Sequence, residues 1–439
     1  MANGSLARRT LFAGALAAPF LTAACSGSSG SSSAGSPKAE QTGPVTIRFM
    51  WWGNDTRLKL TNQVIESFQK KYPNITVKAE PGDFNSQWDK LSTMIAGNNA
   101  PDVIQMDEKY INEYASRGAL ADLNAAIGVD TSKFAKGTLD PGLYKGKLYG
   151  LNSGINAPIM VANPKVFEQA GVPLPDDKTW TWEDYRRIVK QITAKGAGAY
   201  FGATNLAGTD NMLKLWIRQQ GKEQFSETGI DYTAAEVQSF WQLMLDMQKE
   251  GAYPTAQQSQ EDSGKSLEQT YFGTGKSAMA ALWSNQITAM DKATGQDLKL
   301  LRPPSKTGKA TDAQIWYKAS MYWSASSKTR NADAVKKFIN YLATDPEAGK
   351  VLGTERGFPA NTDIRSAISG NLNASDKKVV AYLEAIGPEL GKPAPVPPPG
   401  GGQSPAIQLR HAESVLFGKA TPEAAAKAFT DEVKSAIKS

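Results

Sequence analysis

The 439-residue chain carries one cysteine and one histidine, Cys25 and His411. A lone thiol excludes an internal disulfide, and one thiolate with one imidazole cannot assemble a soft-ligand site for zinc or iron. Among metal ions, only those held by carboxylate and carbonyl oxygens, such as calcium, stay open. No cofactor is implied. A dense basic run is also missing: 49 Lys+Arg against 43 Asp+Glu give a formal charge of +6. Two of those charges, Arg8 and Arg9, lie in a segment expected to be removed, so nucleic acid is excluded as a partner class. Beyond residue 25 no run is apolar enough to span a bilayer.

What the first 43 residues do contain is ordered. Arg8 and Arg9 are followed by the apolar stretch from Leu11 to Leu21, then by Thr22, Ala23 and Ala24 immediately before Cys25. That order predicts an export signal over residues 1–24. Leu21 to Cys25 resembles a lipobox, in which the cysteine becomes an acylated N-terminus. At about 0.8 kcal/mol per buried methylene, several acyl chains would hold the protein on a membrane surface without a spanning helix. Arg8-Arg9-Thr10-Leu11-Phe12 also resembles a twin-arginine signal, so these residues leave the export route open. Residues 25–43 are dominated by Ser and Gly and read as a flexible tether. The expected location is extracytoplasmic and membrane-anchored.

The remaining body is too long for one core and predicts two lobes. Val45, Ile47, Phe49 and Trp51 alternate with Thr46, Arg48, Met50 and Trp52 as in a strand. Leu60, Val64, Ile65 and Phe68 then keep helical spacing up to Tyr72-Pro73-Asn74. A second strand at Ile75 to Val77, a helix through Trp88, Leu91 and Ile95, and a third strand at Val103 to Met106 complete β-α-β-α-β. This alternation predicts an α/β fold with a largely parallel sheet and a ligand site beyond the carboxyl ends of the strands, where Trp51, Trp52 and Asp107 lie. Gly273-Thr274-Gly275-Lys276-Ser277 has the look of a phosphate loop, but Thr270 stands where its first glycine is required.

Longer stretches carry a resemblance. They include the opening strand with Phe68 to Val77, Ala96 to Ile104, Arg117 to Leu123, Lys147 to Leu151, Phe167 to Trp180, Phe272 to Met279 and Arg356 to Asn361. In that order the chain resembles a family 1 extracellular solute-binding protein, the external receptor of a bacterial carbohydrate ABC importer. Trp51-Trp52-Gly53 and Gln105 to Tyr110 are similar to a subgroup associated with plant cell-wall oligosaccharides. The resemblance implies a periplasmic-binding-protein type II fold, two hinged lobes with mixed, mostly parallel sheets around a cleft. The chain would cross between lobes near Ser153 to Ala157, Met279 to Trp283 and Lys318 to Ala325. Residues 44–154 and 284–321 would form the N-terminal lobe, and 155–283 and 322–439 the C-terminal lobe. The implied partners are a carbohydrate and the permease subunits of an importer, with the protein itself a monomer and no enzyme.

A sugar presents apolar C–H faces and rings of hydroxyls, and so calls for flat aromatic surfaces and planar polar partners. Of ten tryptophans, Trp51 and Trp52 point to opposite faces of their strand, so one would be core and the other a platform. Trp283, beside Asn285 on an expected crossing strand, is a candidate contact, whereas Trp241 reads as core. Asp107 could accept two sugar hydroxyls or be a solvated loop acid. Asn152, Ser153 and Asn156 flank the first crossing and would face the cleft or satisfy hinge backbone. Only one of Tyr322 and Trp323 can face a ligand. Arg356 offers a fork of donors to hydroxyls or a carboxylate, or else serves in a structural ion pair. Asn205 and Trp216 are candidates for the second wall. The rival reading is a secreted glycoside hydrolase or lyase with paired carboxylates, although no acid pair stands out by spacing.

Overall fold

Strand β1 (Val45–Trp52) begins with the expected alternation, but from Phe49 onward both of its faces are covered. In this computed structural model, which describes residues 43–53, 55–134 and 137–437, the two faces feed different cores. Phe49 and Trp51 pack with Val64, Ile65 and Phe68 of α1 (Asp55–Lys71). Met50 and Trp52 pack with Trp88 and Leu91, both on α2 (Phe84–Ala96). Strands β2 (Ile75–Gly82) and β3 (Val103–Met106) flank β1 and run parallel to it. A strand covered on both sides cannot keep a polar face, which is why the alternation fades. The export signal and Cys25 lie outside the described residues.

After α3 (Ile111–Ser116) and a hairpin of β4 (Leu143–Tyr144) and β5 (Lys147–Leu148), the chain passes through β6 (Leu151–Asn152) and β7 (Gly154–Asn156) into a second lobe. There β8 (Pro158–Ala162) leads outward to α4 (Pro164–Ala170), α5 (Trp182–Gly196), α6 (Asp210–Arg218), α7 (Ala234–Lys249) and α8 (Ala256–Ser263). Strand β9 (Met279–Trp283) returns and is followed by α9 (Ile287–Thr294) and β10 (Lys299–Leu301). Trp180, Trp182, Tyr185, Phe240 and Trp241 fill this lobe's main core. Thr181 caps α5 in a reciprocal box with Asp184, satisfying two donors that the helix start leaves open.

The chain re-enters the first lobe through β11 (Lys318–Ala319) and β12 (Tyr322–Ala325), followed by α10 (Ala332–Thr344), α11 (Pro346–Leu352), β13 (Phe358–Pro359) and α12 (Thr362–Ile368). It crosses again to α13 (Ala374–Ile386), α14 (Ser404–Leu416) and α15 (Pro422–Ala436). The first-lobe sheet has the order β2-β1-β3-β12-β6, the second β10-β8-β9, and β11-β7-β13 form a small sheet where the lobes join. Glycine is required in that junction: a Cβ on Gly154 would stand 2.7 Å from the Arg356 carbonyl oxygen.

Three expectations are corrected. Among the named strands of the described residues, only β1 with β2 and β1 with β3 pair in parallel, the other pairs being antiparallel. The physical reason is direction of travel: β12 arrives from the other lobe against β3, and β9 returns along the β8 that led outward. Second, Met279–Trp283 is not a crossing, because β9 pairs with β8 and α9 packs beside it in the second lobe. Third, the lobe boundaries shift. The stretch 284–317 stays with the second lobe through α9 and β10, and 322–368 belongs to the first through β12, α10 and α11.

Candidate functional site

The carboxyl ends of β1 and β3 meet the second lobe across a cleft of about 940 Å³, at the upper end of the range for small-molecule sites. Trp52 and Phe84 line the first-lobe side, with ring centroids 5.4 Å apart and planes at 76°. Trp283 and Trp316 line the other, edge to face at 6.1 Å. Each wall thus offers an aromatic pair already held by its neighbour, which limits the ordering cost on binding.

Charged groups converge between these pairs. The turn after β3 presents Asp107, Glu108 and Lys109, and Asp107 Oδ1 accepts the Lys109 backbone N–H at 3.0 Å, fixing the turn. Lys109 Nζ reaches Asp210 Oδ2 on the other lobe at 3.2 Å. Burial alone would lower the lysine's pKa, but Asp210 and Asp107 outweigh it and hold the ammonium above its ordinary value. Burial would raise Asp210, and Lys109 reverses this to leave it depressed. Asp107 Oδ2 also lies 3.4 Å from Lys318 Nζ, which sits 5.2 Å from the centre of the Trp283 ring. At the far rim, Asp376 of the second lobe accepts hydrogen bonds from Thr288 and from Thr354 of the first. Polar contacts therefore join the lobes on two sides of the cleft.

Of the sequence-derived candidates, Trp52, Asp107, Asn156, Trp283 and Asn285 line the cleft. The Asn156 amide is engaged in the junction, donating to Ser320 Oγ at 3.0 Å. The others are placed elsewhere. Trp51 is 1% exposed and stacks on Phe49 in the core, resolving the choice within the Trp pair. Both Tyr322 and Trp323 are buried, because β12 is an interior strand covered on both faces. Asn152 donates to the Thr138 carbonyl and accepts from the Gly154 N–H, while the Ser153 hydroxyl donates to the Met321 and Arg356 carbonyls. These two serve the hinge backbone. Asn205 accepts the Ala207 N–H, and Trp216 donates to Ser239 Oγ, its ring set edge-on to Trp182.

Arg356 is 3% exposed and absent from the cleft lining. Its guanidinium donates to Gln105 Oε1 and Thr61 Oγ1 and lies over the Trp323 ring. Burial pulls its pKa down, Glu355 partly opposing this and Arg57 adding to it. It is a buried tie between strand and helix. The Gly273–Ser277 segment spends its amides locally, with Gly275 and Lys276 donating to the carbonyls of Phe272 and Tyr271, so it offers no phosphate cradle.

Sequence reasoning missed Lys109, Asp210, Lys214, Trp316 and Lys318, all of which line the cleft. One signal was available in α6, where Lys214 and Arg218 fall four apart within the otherwise apolar Met212-Leu213-Lys214-Leu215-Trp216-Ile217-Arg218. Such spacing marks a polar stripe on a buried helix. Among the described residues no cluster fit for a metal ion occurs, and no helix is long and apolar enough to cross a membrane.

Comparison with known proteins gives a consistent result. The arabinooligosaccharide-binding protein of Bacillus subtilis is 29% identical over 218 residues, 48% of this chain and 47% of that one. The chain thus spans about half the length of this curated relative. A maltooligosaccharide ABC transporter solute-binding lipoprotein of Streptococcus pneumoniae is 23% identical over 342 residues, 74% and 75% of the two chains. A periplasmic solute binding protein from Pectobacterium atrosepticum has a similar fold, with a TM-score of 0.79 at 22% identity over 90% of this chain and 100% of that one. The family described as bacterial extracellular solute-binding protein matches residues 63–377. With most of its length so matched, the chain belongs to the bacterial extracellular solute-binding proteins.

Proposed function

We propose that this protein captures an oligosaccharide in the interlobe cleft outside the cell and delivers it, unaltered, to the membrane permeases of an ABC importer. The observation that carries the reading is the pairing of Trp52 and Phe84 with Trp283 and Trp316 across one cleft, with ionic and amide groups between them. Sugar faces stack on such rings, and hydroxyls bridge the polar groups. Names of relatives from two bacteria, one binding arabinooligosaccharide and one a maltooligosaccharide transporter lipoprotein, support it. In this reading the protein acts as a monomer tethered through acylated Cys25. Ligand favours closure only as far as it binds the closed state better.

The test is a thermal-shift and intrinsic-fluorescence panel of neutral and acidic oligosaccharides, with the sugar recovered and weighed by mass spectrometry. Saturable stabilisation with the sugar unchanged is expected. Turnover, or no response to any sugar, would overturn the reading.

A further inference from the structure

Four charged residues that line the cleft are more than nine-tenths buried: Arg57, Asp107, Lys214 and Lys318, at 8%, 5%, 7% and 8% exposure. Three have ionic partners, Arg57 with Glu355 at 2.7 Å and Asp107 with Lys318 at 3.4 Å. Lys214 has none among the described residues. Its Nζ lies 5.0 Å from the centre of the Trp316 ring. Arg218, beside it on the same ring, is already neutralised by Glu223 at 2.6 Å. Glu108 lines the same cleft, beyond ion-pair distance of Lys214. Burial lowers the Lys214 pKa, with Glu108 partly opposing and Arg218 adding to the effect.

An unpaired buried ammonium is costly, and burying a charge is tolerated where a partner arrives to compensate it. Two further polar atoms on lining residues are buried without a hydrogen-bond partner: Trp316 Nε1, a donor, and Asn211 Oδ1, an acceptor. The three groups together ask for a ligand that brings negative charge and acceptor oxygens to Lys214 and Trp316, and a hydroxyl proton to Asn211. We infer that the corner formed by Lys214, Trp316 and Asn211 is a subsite for a sugar carboxylate, so that the substrate class is uronate-containing oligosaccharides. This rests on the sugar-binding reading above. A single cation with Glu108 near it suits a monoanion, and a phosphate dianion would meet repulsion that the lysine cannot offset.

The experiment titrates the mature protein calorimetrically with galacturonate- and glucuronate-containing di- and trisaccharides, with their carboxyl-reduced counterparts, and with a sugar phosphate. The best uronate sugar should bind about 10- to 100-fold tighter than its reduced form, the range for a hydrogen bond to a charged group. The sugar phosphate should bind more weakly than the uronate. Lys214→Met should abolish the preference, and Lys214→Arg should restore most of it. If reduced sugars bind as well as acidic ones, or a sugar phosphate binds best, the carboxylate subsite is wrong while sugar capture stands. If no sugar binds, both fall. The comparison of acidic and reduced ligands on the unmodified protein decides the matter even if a Lys214 variant fails to fold.

Discussion

Two tryptophans of the second lobe should respond to truncation in opposite ways. Trp241 is fully buried, donates from Nε1 to the Ala207 carbonyl at 3.0 Å and lies edge-on to Phe429. Gln408 also donates to that carbonyl at 3.1 Å, so Trp241→Ala leaves no orphaned acceptor and its cost is the cavity, about 3–5 kcal/mol of stability. Trp283 is half-buried in the cleft wall and touches Trp316 and Lys318. Losing an edge contact and a cation–π contact removes about 1–2 kcal/mol of stability. As a central aromatic anchor for ligand it should contribute about 2 kcal/mol or more to binding, roughly thirtyfold in Kd. Urea unfolding with calorimetric titration separates the two quantities. Trp241→Ala should lower stability by about 3–5 kcal/mol and leave the affinity of the folded fraction within about twofold, whereas Trp283→Ala should weaken binding roughly thirtyfold at the smaller stability loss of about 1–2 kcal/mol. Equal affinity losses in both, or unchanged affinity in Trp283→Ala, would refute the assignment of Trp283 to the ligand wall.

Asp210→Asn removes the interlobe pair with Lys109 and should raise the radius of gyration of the ligand-free protein measured by X-ray scattering. Because Asp210 is depressed below its ordinary 3.8, the pair is fully present above that pH and is lost only as pH falls through the depressed value. The unmodified protein should therefore scatter alike from about pH 5 to 9, and an opening near pH 6 would contradict the pairing. Arg356→Met should cost roughly 2–4 kcal/mol in a urea melt, since Gln105 Oε1 loses its donor and Trp323 its packing partner. Its affinity for acidic and neutral sugars should be unchanged, and a selective loss of acidic ligand would restore Arg356 to the site. Cys25→Ser should abolish palmitate labelling and release the protein from membranes, and labelling that persists would exclude Cys25 as the acylated residue.

The first half of the fold was legible because its helices and strands advertise their periods: Leu60, Val64, Ile65 and Phe68 can only be one helix face, and Val45 to Trp52 only a strand. The first and last expected crossings were also placed, since small polar residues there interrupt the apolar runs. The lobe membership of 284–317 and 322–368 was not legible, because a short apolar run such as Met279–Trp283 carries no mark of direction or of which sheet receives it. Trp283 and Asp107 reached the cleft as expected, both standing at strand ends. Arg356 did not, because a guanidinium after a strand reads the same in solvent, in a site or beneath a sheet. Lys109, Asp210 and Lys318 come together from segments up to 209 residues apart, and no local pattern encodes such a meeting.

The central claim is that sugar is held between the lobes, and the most direct measurement is a crystal structure with the oligosaccharide that gives the largest thermal shift. Rings stacked between the Trp52–Phe84 and Trp283–Trp316 pairs, with hydroxyls on Asp107 and Asn211 and a carboxylate on Lys214 and Trp316, are predicted. Sugar bound outside the cleft, or a cleft with its aromatic walls untouched, would contradict the account.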